Sequence, residues 1–162
     1  STGVMAPVHR VEGADADAFL AAAAVDLDLS DPSVKREATV LAARVRDELE
    51  QPGAWPTTVR EALDSARRRG AIVAVRSTIP APWPTQVNRL LLALLSATKS
   101  EKVTITIRAT EESVSVRCVV NPPWSTQQGD NLRLAVTTRE LATSVVIDTD
   151  DDSTMIDLNE LR

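Results

Sequence analysis

The sequence predicts an α+β protein: a two-layer α/β sandwich with helices on one face of a mixed, mostly antiparallel sheet, preceded by an N-terminal helical extension. Three patterns carry that prediction. Apolar residues recur at helical spacing in several stretches, they alternate strictly in two consecutive segments, and the helical and strand patterns are interleaved along the chain.

The helical extension comes first. Ser1 to Gly13 shows no period and reads as a mobile arm, and residues 14–52 read as helical. Ala14 to Val25 is alanine-rich with Asp15 and Asp17 early, which suits a helix N-terminus. Ser30-Asp31-Pro32-Ser33 is a start signal, and Val34, Ala38, Leu41, Val45 and Leu49 then recur on one helical face to Glu50. Gln51-Pro52-Gly53-Ala54-Trp55-Pro56 breaks the pattern and marks a boundary, so the sandwich is expected over residues 56–162.

Within the sandwich, Thr57 or Thr58 is placed to cap a helix carrying Val59, Leu63 and Ala66 and ending at Gly70. Ala71 to Ile79 reads as a buried strand. The proline-rich link Pro80–Pro84 leads to a core helix from Thr85 to Lys99. Val103, Ile105 and Ile107 then alternate with polar residues, as do Val114, Val116, Cys118 and Val120 beyond the turn Thr110–Ser113. A loop from Asn121 to Gly129, a helix over about Asp130–Ala142, and strands at Ser144–Asp148 and Thr154–Leu158 complete the order.

Composition narrows the function. The chain has 162 residues, 43% hydrophobic and 25% charged, with a formal net charge of −5. An acidic balance argues against gripping nucleic acid, which calls for cations against phosphates. No apolar run approaches the roughly 20 residues that cross a bilayer, so no membrane contact is expected within the segment, and a cytoplasmic setting is expected. One cysteine and one histidine leave no disulfide framework, no thiolate cluster and little for histidine catalysis. The start at Ser1 suggests a portion of a longer protein. Five glycines leave little of the backbone freedom on which phosphate loops depend.

Several local strings carry a resemblance. They are Val59-Arg60-Glu61-Ala62-Leu63 through Gly70, Asn88-Arg89-Leu90 through Ser96-Ala97-Thr98-Lys99-Ser100 into Val103-Thr104-Ile105, and Gly129-Asp130-Asn131-Leu132-Arg133-Leu134-Ala135. In this order they resemble the ATP-binding domain of sensor histidine kinases and the wider Bergerat-fold (GHKL) ATPases, over about Pro56–Leu161. The resemblance implies a glutamate and, four residues on, a Mg²⁺-binding asparagine where this chain has Leu91 and Leu95, which offer no oxygen to a hard cation. It implies an adenine-binding aspartate where the chain reads Val119-Val120-Asn121-Pro122-Pro123. It implies glycines in a late phosphate turn, of which Gly129 stands and Asn131 replaces another. It implies a phosphoacceptor histidine in the preceding helix, yet Ser33–Glu50 contains none and His9 lies in the arm.

The expectation is therefore a non-catalytic signalling domain, with no metal and no cofactor, acting on a protein partner such as a signalling regulator and pairing as a homodimer through residues 33–50. If a nucleotide binds instead, ATP is the cofactor and Asn121, Gly129 and Asn131 are its candidate contacts. A structural scaffold module is the third reading. Asp148–Ser153 offers alternating carboxylates, but Ser153 and Asn159 stand where a calcium loop needs glycine and glutamate, so a hairpin turn is expected. Arg67–Arg69 reads as helix-end cations, Trp55, Trp83 and Trp124 as plugs for the ends of the sandwich or as a contact surface, and Cys118 as a buried thiol.

Overall fold

Asp31 caps the first of the described helices, as its sequence signal predicts. The computed structural model describes residues 30–51, 53 and 55–161; the expected arm, the Ala14–Val25 helix and His9 lie outside them. The chain divides into two units at Gly53/Ala54. In the first, helix α1 (Pro32–Glu50) has proline in its first turn, and the Asp31 carboxylate accepts from Ser33 N at 2.9 Å. That hydrogen bond, then the one from the Ser33 hydroxyl, holds the carboxyl below its ordinary range. The face it buries is not the expected one. Val40, Asp47 and Glu48 are buried while Leu49 is 53% exposed. These positions sit at i, i+7 and i+8, a stripe in which charged groups have partners, and a search for apolar residues alone passes over it.

The second unit runs α2 (Thr57–Arg68), β1 (Ile72–Ser77), α3 (Thr85–Ala97), β2 (Lys102–Ala109), β3 (Val114–Asn121), α4 (Thr126–Thr138), β4 (Ala142–Thr149) and β5 (Thr154–Leu161). The five strands form one sheet in the order β1-β2-β3-β5-β4. β1 joins β2 in parallel across α3, and every other pairing is antiparallel. The mixed, mostly antiparallel sheet thus stands as expected, with α2, α3 and α4 on one face. Val73, Val75, Val103, Ile105, Ile107, Val116, Cys118, Val120, Ile156 and Leu158 are buried beneath them. The alternation that puts these side chains inward sends their neighbours to an open face.

Two helix ends show why the layers hold. After α2, Ala71 N donates to Ala66 O and Gly70 N to Arg67 O, with Gly70 at φ 103°. After α4, Leu141 N donates to Val136 O and Glu140 N to Thr137 O, with Glu140 at φ 52°. Both are Schellman ends, and the second places a side-chain residue where glycine is unstrained. The arginine run has structural work at the first end. Arg69 Nη2 donates to Leu95 O at 2.7 Å and Thr98 O at 2.9 Å, adding a cation to the C-terminal carbonyls of α3, and the buried Arg67 donates from Nη2 to Val73 O.

Some boundaries differ from expectation. No threonine caps α2: its N-cap is Pro56, without a side-chain cap bond. α4 starts at Thr126, four residues before the expected Asp130, because Ser125 and Gln128 form a reciprocal capping box. The three tryptophans are buried, so they form no contact surface. Trp55 and Trp83 meet edge to face at 4.9 Å between ring centres, and Trp83 Nε1 donates to Ile79 O. Asp148–Ser153 is a hairpin turn in which Asp150 Oδ1 accepts from Asp152 N and Ser153 N.

Candidate functional site

Helices α3 and α4 lie side by side on the sheet and leave a groove of about 330 Å³ between them. The α3 wall is Leu92, Ala93, Ser96 and Ala97, and the α4 wall is Asn131, Ala135 and Arg139. This pattern follows from helical spacing. The core contacts of α3 are made on its other side, where Val87, Leu90, Leu91, Leu94 and Leu95 are all 1% exposed or less. Leu91 and Leu95, which the resemblance places at the metal positions, therefore point into the core. The α3 residues that do face the groove are two alanines, a serine and a leucine, and among the described residues no carboxylate lines it.

One end of the groove is tied shut. The buried Glu101 carboxylate accepts from Lys99 N at 2.6 Å and from Gln128 Nε2 at 2.7 Å. The same Gln128 nitrogen reaches Ala97 O at 3.0 Å, while Gln128 Oε1 accepts from Ser125 N at 2.9 Å. Gln128 and Glu101 are 7% and 6% exposed, so both sit where an unmet polar group is costly and each meets the other's need. The knot joins the C-terminus of α3 to the N-terminus of α4. Sequence reasoning places Gln128 in a loop, although Ser125-Thr126-Gln127-Gln128 carries the capping-box spacing that would have found it.

The connection from β3 to α4 is Pro122-Pro123-Trp124-Ser125, with Asn121-Pro122 cis. Trp124 is buried and its backbone N donates to Thr154 Oγ1 at 2.8 Å. This connection is four residues long and is anchored at Trp124 and Ser125, short for a flap over the groove.

The three candidate contacts fall in three settings. Asn121 ends β3 in register with Lys102, on the strand positions that face away from the helices. Gly129 lies in the first turns of α4 and packs toward β4, where an added Cβ would meet Ile147 Cδ1 at 3.8 Å, an ordinary contact. Asn131 reaches the groove, and its Oδ1 accepts from Gln127 Nε2 at 2.8 Å. The structure does not bring the three together. A wider recess of about 470 Å³ lies between α4 and β4, and none of the three lines it.

No protein-family model and no curated protein matches the chain. Solved structures do. The chain is similar to the catalytic domain of histidine kinase ThkA in a nucleotide-free form, with 11% identity over 64% of this chain and 90% of that one and a TM-score of 0.46. It is similar to the Acinetobacter baumannii histidine kinase AdeS, with 11% identity over 95% and 98% of the two chains and a TM-score of 0.49. It is also similar to histidine kinase ThkA in complex with the response regulator TrrA, with 14% identity over 99% of this chain and 60% of that one and a TM-score of 0.44.

What the groove can hold is read from its own side chains. Mg²⁺ takes oxygen ligands in a near-ideal octahedron, usually from carboxylates and phosphates. Of the groove's lining, Ser96 and Asn131 offer side-chain oxygens, the Asn131 oxygen already accepting from Gln127, and among the described residues no three His, Cys, Asp or Glu side chains gather into a metal-binding group. The lining lacks the carboxylates of a Mg²⁺ site. Cys118 is no substitute as a reactive group, because burial pushes its thiol up to about 12 and keeps it from solvent.

Proposed function

We propose that this chain is a non-catalytic signalling domain on a histidine-kinase-like scaffold, acting by binding another protein. The observation that carries the reading is that Leu91 and Leu95, where the resemblance implies a glutamate and a metal-binding asparagine, are buried in the core, while the α3 wall of the groove, Leu92, Ala93, Ser96 and Ala97, offers methyl groups and one hydroxyl. The Glu101–Gln128 knot and the four-residue β3–α4 connection support it further. They hold the two helices in one fixed relation and keep the β3–α4 connection short. A signalling regulator is the class of partner the resemblance implies, and α1 is the segment for self-pairing. No helix among the described residues is long and apolar enough to cross a membrane.

A second reading, a nucleotide-sensing domain with unusual contacts, is favoured by Asn131 and Arg139 at the groove mouth, where they offer an amide and a cation to a base and a phosphate. Equilibrium dialysis with labelled ATP separates the two. The proposal expects no retained nucleotide, with or without Mg²⁺. Saturable retention that is abolished by Asn131→Ala together with Arg139→Ala would overturn it.

A further inference from the structure

The face of the sheet turned away from the helices is charge-segregated. On β1–β3 it presents Arg76, Lys102, Arg108 and Arg117 and no acid, in a chain whose net charge is −5. Three of these cations surround one residue. Arg76 and Arg117 flank Thr106 in register on either side, and Arg108 lies two residues further along β2. Strand spacing of about 4.8 Å and a repeat of about 6.8 Å per residue pair put all three within one small patch. Arg117 is fixed by a two-pronged pair with Asp157, at 2.7 and 3.2 Å. Arg76, Lys102 and Arg108 are exposed and carry no ion pair among the described residues.

Beside this patch, on β3–β5, the same face sets exposed apolar residues between two acids, Asp148 across from Met155 and Asp157 across from Arg117. Val119 and Met155 are register partners, each 37% exposed, and Val146 stands across from Asp157 at 51%. The Val119–Met155 pair is displaced by one residue pair from the Arg117–Asp157 pair, about 6.8 Å along the strands. An extended chain repeats its side chains on one side at that same interval. A cluster of exposed cations attracts carboxylates, and a partner's apolar side chains gain by burial against exposed valine and methionine. A nucleic acid fits less well, because all three tryptophans are buried and the face offers no ring on which a base could stack.

We propose that the open sheet face over β1–β3 and the adjoining Val119–Met155 pair is a docking surface for an acidic protein segment that carries apolar residues between its carboxylates. The proposal rests on the reading of the chain as a protein-binding domain and names the surface and the partner's chemistry. The partner's carboxylates meet Arg76, Arg108 and Lys102, and its apolar side chains cover Val119 and Met155.

The test is an NMR and fluorescence-anisotropy titration of the intact chain with a synthetic peptide of about eight residues, long enough to run the length of a strand, alternating glutamate with valine and leucine. A peptide with lysine for glutamate and an oligothymidine strand are titrated alongside. Saturable binding of the glutamate peptide with Kd on the order of 100 μM is expected, with shifted amides on β1–β3, and Arg76→Glu with Arg108→Glu should weaken it at least about tenfold. Arg76→Gln with Arg108→Gln should weaken it less, and circular dichroism confirms that each variant is folded. The proposal is overturned if the glutamate peptide binds no better than the lysine peptide, if charge reversal leaves binding unchanged, or if oligothymidine binds as tightly. ATP, titrated separately, reports on the α3 and α4 amides that line the groove. A nucleotide response there would sink the non-catalytic reading without moving the peptide result.

Discussion

Gln128→Ala should unfasten α4 from α3. The substitution removes a hydrogen bond to the Glu101 carboxylate at 2.7 Å, one to Ala97 O at 3.0 Å and the return half of the capping box at 2.9 Å. A bond to a charged group contributes about 1.5–3 kcal/mol and the two neutral ones about 1 kcal/mol each, less a few tenths regained from alanine's helix propensity. The sum is a loss of about 3–5 kcal/mol, which in a domain of this size lowers Tm by roughly 15 °C. Denaturant unfolding followed by circular dichroism measures it, with Gln127→Ala as the control. Gln127 is exposed and its side chain bonds Asn131 on the helix surface, so its removal should cost under about 0.5 kcal/mol. If Gln128→Ala and Gln127→Ala fall within about 0.5 kcal/mol of each other, the buried knot is not what couples the two helices and the reasoning fails.

Gly129→Ala should stabilise the protein by about 0.5–1 kcal/mol, because the position is helical and the added methyl meets Ile147 at an ordinary distance. A loss of stability in thermal melts would mean that the site needs glycine. Glu140→Gly should also stabilise, by about 0.5–1 kcal/mol, since φ 52° costs a side-chain residue and not glycine; Gly70→Ala, at φ 103°, should do the opposite. Cys118 should resist a thiol reagent at pH 8 until the protein unfolds. Its folded pKa lies above the unfolded value of 9.0, so its contribution to stability is whole below pH 9 and drains away as pH rises toward about 12. Cys118→Ser should flatten that alkaline loss, and an unchanged slope would count against a buried thiol.

Much of the sandwich is legible in the sequence. Val103-Thr104-Ile105-Thr106-Ile107 and Val114 through Val120 alternate without interruption, and period 2 fixes which side chains lie under the helices. Asp31-Pro32-Ser33 announces α1 because a cap needs a short oxygen acceptor and tolerates proline immediately after it. The expected start of α4 falls four residues late because Gly129 and two prolines suggest loop chemistry, whereas the deciding signal is the polar spacing of Ser125 and Gln128. The site is harder to read. Leu91 and Leu95 hold the ligand positions that the resemblance implies, but which side of α3 meets a groove depends on where α4 lies, a long-range fact that no window on α3 contains. The buried stripe of α1 is hidden for a related reason: Asp47 and Glu48 are buried with partners, and composition alone reads them as exposed. The charge-segregated sheet face is set by register across β1, β2 and β3, which strand patterns do not give.

The measurement that bears most directly on the account is calorimetric titration of the folded chain with ATP and with ADP, each with and without Mg²⁺. The α3 wall of Leu92, Ala93, Ser96 and Ala97 predicts no saturable heat with either nucleotide under any of these conditions. Saturable binding tighter than about 100 μM, near −5.5 kcal/mol, and strengthened by Mg²⁺ would contradict it and make this domain a nucleotide sensor.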